Sequence, residues 1–297
     1  MDYLKELYML PFDHRASFFK GLLGFEPPLS SAQHKKVTAY KQVVFDGFMQ
    51  VYKAYSHKDR LAILVDEDFG MPILKAAKAH RIINAVSVER SGKDFFDFEY
   101  GDHYKEHLLR LRPSFAKVLV RYNPANNNSL QLRRLARLSD FCAENGIGFM
   151  FELLVPATEE QKKRYKKSYD TTARPALMVQ AIEQIVKYHI HPTVWKIEAV
   201  ETKPDWKKII KATQLHGHRP GIIVLGRGED EKKVVSWLKL GATFPEVIGF
   251  AVGRTVFYPP LFAYRDAKIT KKQASGRIAK NYTALIRLWE KSRKKMR

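Results

Sequence analysis

Eight short runs rich in β-branched and aromatic residues, each followed by a longer stretch of helical periodicity, most narrow what this chain can fold into. They occupy residues 7–13 (LYMLPFD), 61–67 (LAILVDE), 83–89 (INAVSVE), 116–122 (AKVLVRY), 147–154 (IGFMFELL), 193–200 (TVWKIEAV), 221–226 (GIIVLG) and 247–253 (VIGFAVG). A nearly continuous apolar run bounded by turns reads as a parallel strand buried on both faces; a strand with one wet face would alternate. Between the runs lie amphipathic segments. In 37–55, Val37, Tyr40, Val44, Phe48, Val51 and Tyr55 recur at helical spacing, and 130–144, 176–189, 230–240 and 274–289 behave alike. Eight strand-helix units predict an α/β fold, a single (β/α)8 TIM barrel over residues 1–297, in preference to an open doubly wound sheet. No low-complexity linker, internal repeat or break in composition marks a domain boundary. Residues from about 265 to 297 read as a basic helical C-terminal tail.

Charge bears on partners. With 52 Lys and Arg against 31 Asp and Glu, the chain carries +21, which favours phosphorylated metabolites, nucleic acid or a membrane surface. Much of the excess is concentrated: 265–297 hold twelve Lys and Arg against Asp266 and Glu290, and 161–167 (QKKRYKK) add another cluster. Both read first as solvated helix faces. No zinc-finger, RNP or helix-turn-helix signature accompanies them, so nucleic acid is not an expected partner. No apolar run approaches the roughly 20 residues of a membrane span. The single cysteine, Cys142, excludes an intramolecular disulfide and a multi-thiolate metal site. The reading is therefore a soluble protein of a reducing, cytoplasmic compartment, with a homo-oligomer as a weak expectation.

In such a barrel, functional residues sit at the C-terminal ends of strands and in the loops that follow. Polar residues fall there: Asp13, His14 and Arg15 after the first run, Asp66 to Asp68 after the second, Glu89 and Arg90 after the third, Arg121 in the fourth and Glu152 in the fifth. The sixth run carries Lys196 and Glu198, which alternation puts on one face as a candidate pair; Lys117 and Arg121 likewise share a face. A buried charge costs several kcal/mol unless paired, so ionisable residues inside apolar strands point to use. Two lysines and two glutamates converging near the barrel top suit imine chemistry. A nucleophilic lysine must be neutral, a second buried cation, Lys117, favours that form, and glutamates move the protons. The structural alternative is a buried Lys196–Glu198 ion pair with Lys117 turned outward.

The last two strands end in Gly226-Arg227-Gly228 and Gly253-Arg254, where barrels often bind phosphate with loop amides, a helix N-terminus and a bidentate arginine. Metal readings are weaker. His189 and His191 precede a strand instead of ending one, and Asp66-Glu67-Asp68 reads as a solvated or arginine-paired turn before a Mg²⁺ site.

Several of these blocks are recognisable together: LYMLPFDHRASFFKGLLG, ILVDEDFG, VERSGKDFFDFEYGDHY, AKVLVRYNP, FMFELLVPA, TVWKIEA, VLGRGED and GFAVGRTVF. In order and spacing, over about residues 7–285, they resemble the 5-dehydro-2-deoxyphosphogluconate aldolase domain of myo-inositol catabolism, a domain often fused behind a sugar kinase. The strand pattern is more distantly similar to class I tagatose-bisphosphate aldolases. The resemblance implies cleavage of 5-dehydro-2-deoxy-D-gluconate 6-phosphate to dihydroxyacetone phosphate and malonate semialdehyde, without metal or other cofactor. It implies Lys196 as the imine lysine, Lys117 as its cationic neighbour, Glu152 as proton shuttle and Asp13 as acceptor of the substrate hydroxyl proton. Gly226, Arg227, Gly253 and Arg254 would hold the 6-phosphate, and Arg121 or Arg90, beside Glu89, the substrate carboxylate. The sequence carries no kinase domain, so a separate sugar kinase is an implied partner in the pathway. Ala16 and Ala199 stand where glycine is usual; Ala199 adjoins the lysine strand, and a methyl there would narrow the site or shift substrate preference. Two other readings stay open: a class I aldolase for another phosphorylated or sulfonated keto-sugar, and a non-catalytic barrel that binds sugar phosphates.

Overall fold

In the computed structural model, which describes residues 3–228 and 230–295, each of the eight runs forms one strand. These are β1 (Leu7–Pro11), β2 (Leu61–Val65), β3 (Ile83–Ser87), β4 (Phe115–Arg121), β5 (Gly148–Leu154), β6 (Val194–Glu198), β7 (Gly221–Leu225) and β8 (Val247–Ala251). All pair in parallel and in sequence order, and β1 closes on β8. β1 to β3 stop before the polar ends of their runs, whereas β4 to β6 carry Arg121, Glu152, Lys196 and Glu198 within the ladder. Closure depends on a small residue, because a side chain on Gly249 would place its Cβ 1.9 Å from the Leu7 carbonyl oxygen.

The helices are α1 (Ala16–Leu23), α2 (Ser31–Ala54), α3 (Glu67–Ala79), α4 (Tyr104–Leu111), α5 (Ser129–Glu144), α6 (Glu159–Tyr165), α7 (Tyr169–Thr172), α8 (Arg174–Lys187), α9 (Lys203–Thr213), α10 (Glu231–Gly241), α11 (Arg254–Arg265) and α12 (Lys271–Lys294). The helix expected over 37–55 begins six residues earlier, because Ser30 and Gln33 form a reciprocal capping box that satisfies two orphan donors. A second such box, Thr270 with Gln273, starts α12. That helix carries the basic C-terminal charge on its outer face and buries Ile278, Tyr282, Ile286 and Trp289 on its inner one. Among the described residues no helix is long and apolar enough to cross a membrane.

Alternation divides each strand between two cores. Side chains such as Val65, Val86, Phe151 and Trp195 pack outward against the helices. The inward ones, including Met9, Leu64, Phe115, Met150 and Ile223, form a separate apolar plug in the lower barrel. Above that plug several inward positions are ionisable, Lys117, Glu152, Lys196 and Glu198 among them.

Candidate active site

Strand register brings the ionisable groups together. In the parallel ladder Glu152 lies abreast of Lys196 on one side and of Leu119 on the other, and Lys117 abreast of Met150. All three charged side chains point inward, one layer above the apolar plug. Lys196 Nζ lies 2.8 Å from Glu152 Oε2, and the same oxygen is 2.9 Å from Lys117 Nζ. Lys117 Nζ also donates to Asp13 Oδ2 at 2.8 Å and to Glu89 Oε1 at 2.9 Å. Ser87 donates its hydroxyl to Asp13 Oδ2 at 3.0 Å, and Arg15 reaches both the carbonyl of Glu89 and the carboxylate of Glu99. Three carboxylates thus surround one ammonium that is only 1% exposed.

Electrostatics sort these groups. Burial opposes the charge on Lys117, yet Asp13, Glu152 and Glu89 hold it protonated well above the ordinary lysine range. Burial would raise Asp13 and Glu152 too, but Lys117 and Lys196 pull both carboxyls below the usual range. Glu89 goes the other way: burial raises it, only partly offset by Lys117 and Arg15. Of the two lysines, Lys117 is therefore the permanent cation. Lys196 has Glu152 as its single ion-pair partner among the described residues.

Lys196 and Glu152 line a cavity of about 410 Å³ at the C-terminal mouth of the barrel. Beyond Lys196 its wall continues through the β7 and β8 loops to the start of α11: Gly226, Arg227, Gly228, Gly253, Arg254 and Thr255. Arg254 and Thr255, the first residues of α11, are in this wall, and a helix N-terminus favours an anion. Backbone packing there requires glycine, since a Cβ on Gly253 would sit 2.1 Å from the Pro11 carbonyl oxygen. Arg254 lies against Gly228 and donates to the Arg227 carbonyl at 2.6 Å; among the described residues no carboxylate pairs with it. His14 completes this wall. Burial holds its imidazole down at about 4, despite Asp13 and with help from Arg254, Lys196 and Lys41.

Several sequence expectations change. Lys117 faces inward, so it is not the outward-turned lysine of the structural alternative. Lys196 and Glu198 share a face but are not partners: Glu198 takes Arg227 Nε at 2.9 Å on one oxygen and the Val155 N–H at 3.2 Å on the other. Arg227, expected as a free phosphate ligand, also reaches Asp170 at 2.7 Å, so two carboxylates already hold it. Arg121 lines the cavity, whereas Arg90 does not and points to Asp97 instead. Glu89 and Asp13 stand behind Lys117, one layer from the cavity wall, and neither Ala16 nor Ala199 is in that wall. The acidic turn after β2 is arginine-paired at Glu67, as expected, through Arg110 with His107 beside it, while Lys41 holds Asp66 and His34 holds Asp68. His189 and His191 lie at the opposite end of the barrel, ahead of β6. Among the described residues no group of three His, Cys, Asp or Glu could hold a metal ion.

Residue reasoning missed Arg174, Asp170 and Lys41. Arg174 on α8 is 1% exposed and ties Asp170 to the Ala199 carbonyl, bracing the strap that holds Arg227. Lys41, fully buried, bonds Asp66 and donates to the Phe12 carbonyl at 2.9 Å, next to Asp13. Its signal was legible: position 41 falls on the apolar stripe of α2, between Val37 and Val44.

The fold is similar to Cgl0159 from Corynebacterium glutamicum, with a TM-score of 0.62 and 16% identity over 97% of this chain and 88% of that one. It is also similar to an archaeal fructose-1,6-bisphosphate aldolase whose catalytic lysine is covalently bound to the carbinolamine intermediate of the substrate. There the TM-score is 0.57 at 12% identity, over 95% of this chain and 93% of the other. A Schiff-base-forming fructose-1,6-bisphosphate aldolase gives 0.56 and 12%, over 95% and 94%. At these identities the likeness establishes the barrel and nothing more. No curated protein matches the sequence at a significant level. The family described as an uncharacterized protein conserved in bacteria (DUF2090) matches residues 2–293, and this chain belongs to it.

Proposed function

We propose that this chain is a class I aldolase that cleaves a phosphorylated keto-sugar through an imine on Lys196. The observation that carries the reading is the Lys196–Glu152–Lys117 chain, with Lys196 at the wall of a cavity that Arg254 and the start of α11 also line. The similarity of the fold to Schiff-base aldolases supports it. The sequence resemblance favours 5-dehydro-2-deoxy-D-gluconate 6-phosphate as substrate. The cavity's layout agrees with a molecule charged at both ends: Arg254 after β8 and Arg121 on β4 lie on opposite sides of the barrel, with Lys196 on β6 between them. Arg254 and the α11 amides would take the phosphate, Arg121 the carboxylate.

The steps follow from these positions. Lys196 Nζ passes a proton to Glu152 and, now neutral, adds to the C5 carbonyl; Glu152 gives that proton to the departing hydroxyl, which leaves as water. The iminium then draws electrons from the C3–C4 bond. Ionised Glu152 accepts the C3 hydroxyl proton as malonate semialdehyde forms, and returns it to C4 of the enamine. Asp13, at one remove, keeps Lys117 charged beside it. Water then hydrolyses the imine to release dihydroxyacetone phosphate.

Borohydride trapping with dihydroxyacetone phosphate, read by intact mass and peptide mapping, tests the reading. A stable adduct on Lys196 is expected, unaffected by EDTA and lost in Lys196→Ala, together with release of dihydroxyacetone phosphate from the proposed substrate. If no lysine is trapped, the imine reading fails and a non-catalytic sugar-phosphate-binding barrel takes its place. If the adduct forms but another keto-sugar is cleaved faster, only the substrate assignment falls.

A further inference from the structure

We infer that Glu89, which lies outside the cavity wall, is the store for the proton that Lys196 must lose before it can attack a carbonyl. This rests on the imine reading above. An unbroken chain of polar contacts joins the two residues: Lys196 Nζ to Glu152 Oε2 at 2.8 Å, Glu152 Oε2 to Lys117 Nζ at 2.9 Å, and Lys117 Nζ to Glu89 Oε1 at 2.9 Å. At the far end, Glu89 Oε2 is buried with no hydrogen-bond partner. A buried, charged carboxylate with an unpartnered oxygen is costly, and protonation lessens the cost by removing the charge.

The proton count balances. Lys117 passes one proton to Glu89 and takes one from Glu152, which has received one from Lys196. The net result is neutral Lys196, neutral Glu89 and an unchanged Lys117 ammonium; the same transfers in reverse return the proton to Glu152 when the carbinolamine hydroxyl departs. No proton leaves the protein, and the cluster keeps its total charge. The groups facing Glu89 are Lys117 from β4, Asp13 beyond β1, and Arg15 with Glu99 behind it. Burial lifts the Glu89 carboxyl while Asp13 and Glu152 are pulled down, so Glu89 is the member of the three suited to hold the proton. Glu89 acts through Lys117 and Glu152 and touches no substrate; it positions the proton.

The discriminating measurement is the rate of borohydride-trapped imine formation with dihydroxyacetone phosphate against pH, for wild type, Glu89→Gln and Glu89→Asp. In wild type the transfer is internal, so the rate is expected to be flat across neutral pH. Glutamine keeps an acceptor for Lys117 but cannot store a proton, so Lys196 must discharge to solvent. The Gln variant should then be slow at acid pH, rise about tenfold per pH unit, and converge on wild type in alkali. Asp should restore part of the flat profile, and carries the test if Gln does not fold. A profile for Gln parallel to wild type, whether equal or uniformly lower, overturns the proposal, since a structural role moves all pH values alike. Absence of any wild-type adduct would instead overturn the imine reading on which the proposal stands.

Discussion

Removing the ammonium of Lys117 would leave Asp13, Glu89 and Glu152 facing one another in the protein interior with only Lys196 and Arg15 to offset them. Breaking a buried ion network by deleting one partner costs about 3–5 kcal/mol, so Lys117→Met should lower stability by that order in urea unfolding. The pH dependence should reverse as well. Asp13 and Glu152 have depressed carboxyls in the folded protein, so their contribution is present above the unfolded value near ~4 and is lost as pH falls through the folded values. Wild type should therefore melt lower as pH drops below about 4. In the variant the same carboxyls lack their cation and fold more easily when protonated, so acid should stabilise it over that window. Thermal melts between neutral and acid pH read both signs. That Lys117 and Lys196 belong to one site was legible from alternation along two strands. That Lys196 pairs with Glu152 and not Glu198 was not, because the choice depends on Arg174 and Asp170, which arrive from α7 and α8 and leave no periodic trace near β6.

At the scale of elements, the strands were readable because burial on both faces suppresses alternation, and the helices because their stripes repeat. The loops that shape the cavity were read only as glycine-arginine pairs. Their geometry follows from close backbone approach: Gly253 is the residue where β1 and the start of α11 nearly touch. Gly253→Ala would push the Pro11 carbonyl away from a Cβ placed at 2.1 Å and tilt the first turn of α11 with Arg254. If that turn binds phosphate, the Michaelis constant for a phosphorylated substrate should rise by roughly tenfold, about 1.4 kcal/mol of lost binding. The Lys196 adduct should still form at saturating ligand, because β6 is untouched. Steady-state kinetics with trapping as a parallel readout check this split, and an unchanged Michaelis constant would remove α11 from the binding site.

For the whole molecule the question is what its +21 charge is for, and α12 separates the possibilities. The C-terminal stretch looked from composition like a basic appendage, yet its inner face is structural. The Tyr282 hydroxyl donates to the Tyr8 carbonyl at 2.6 Å across the barrel wall, and Trp289 packs on Phe250 of β8 with ring centroids 5.9 Å apart. Composition alone hides this, whereas the helical spacing of apolar residues over 274–289 already marked the inner face. The two faces make opposite predictions. Trp289→Ala empties a fully buried site and should cost about 3–5 kcal/mol. Lys291→Gln with Lys294→Gln, both exposed, should stay within about 0.5 kcal/mol of wild type. Denaturant unfolding of the two variants decides between them. If the lysine pair proves dispensable for folding, the outer charge of α12 is free to act on anions in solution instead of holding the barrel together. A loss comparable to that of Trp289→Ala would make the lysines part of the scaffold.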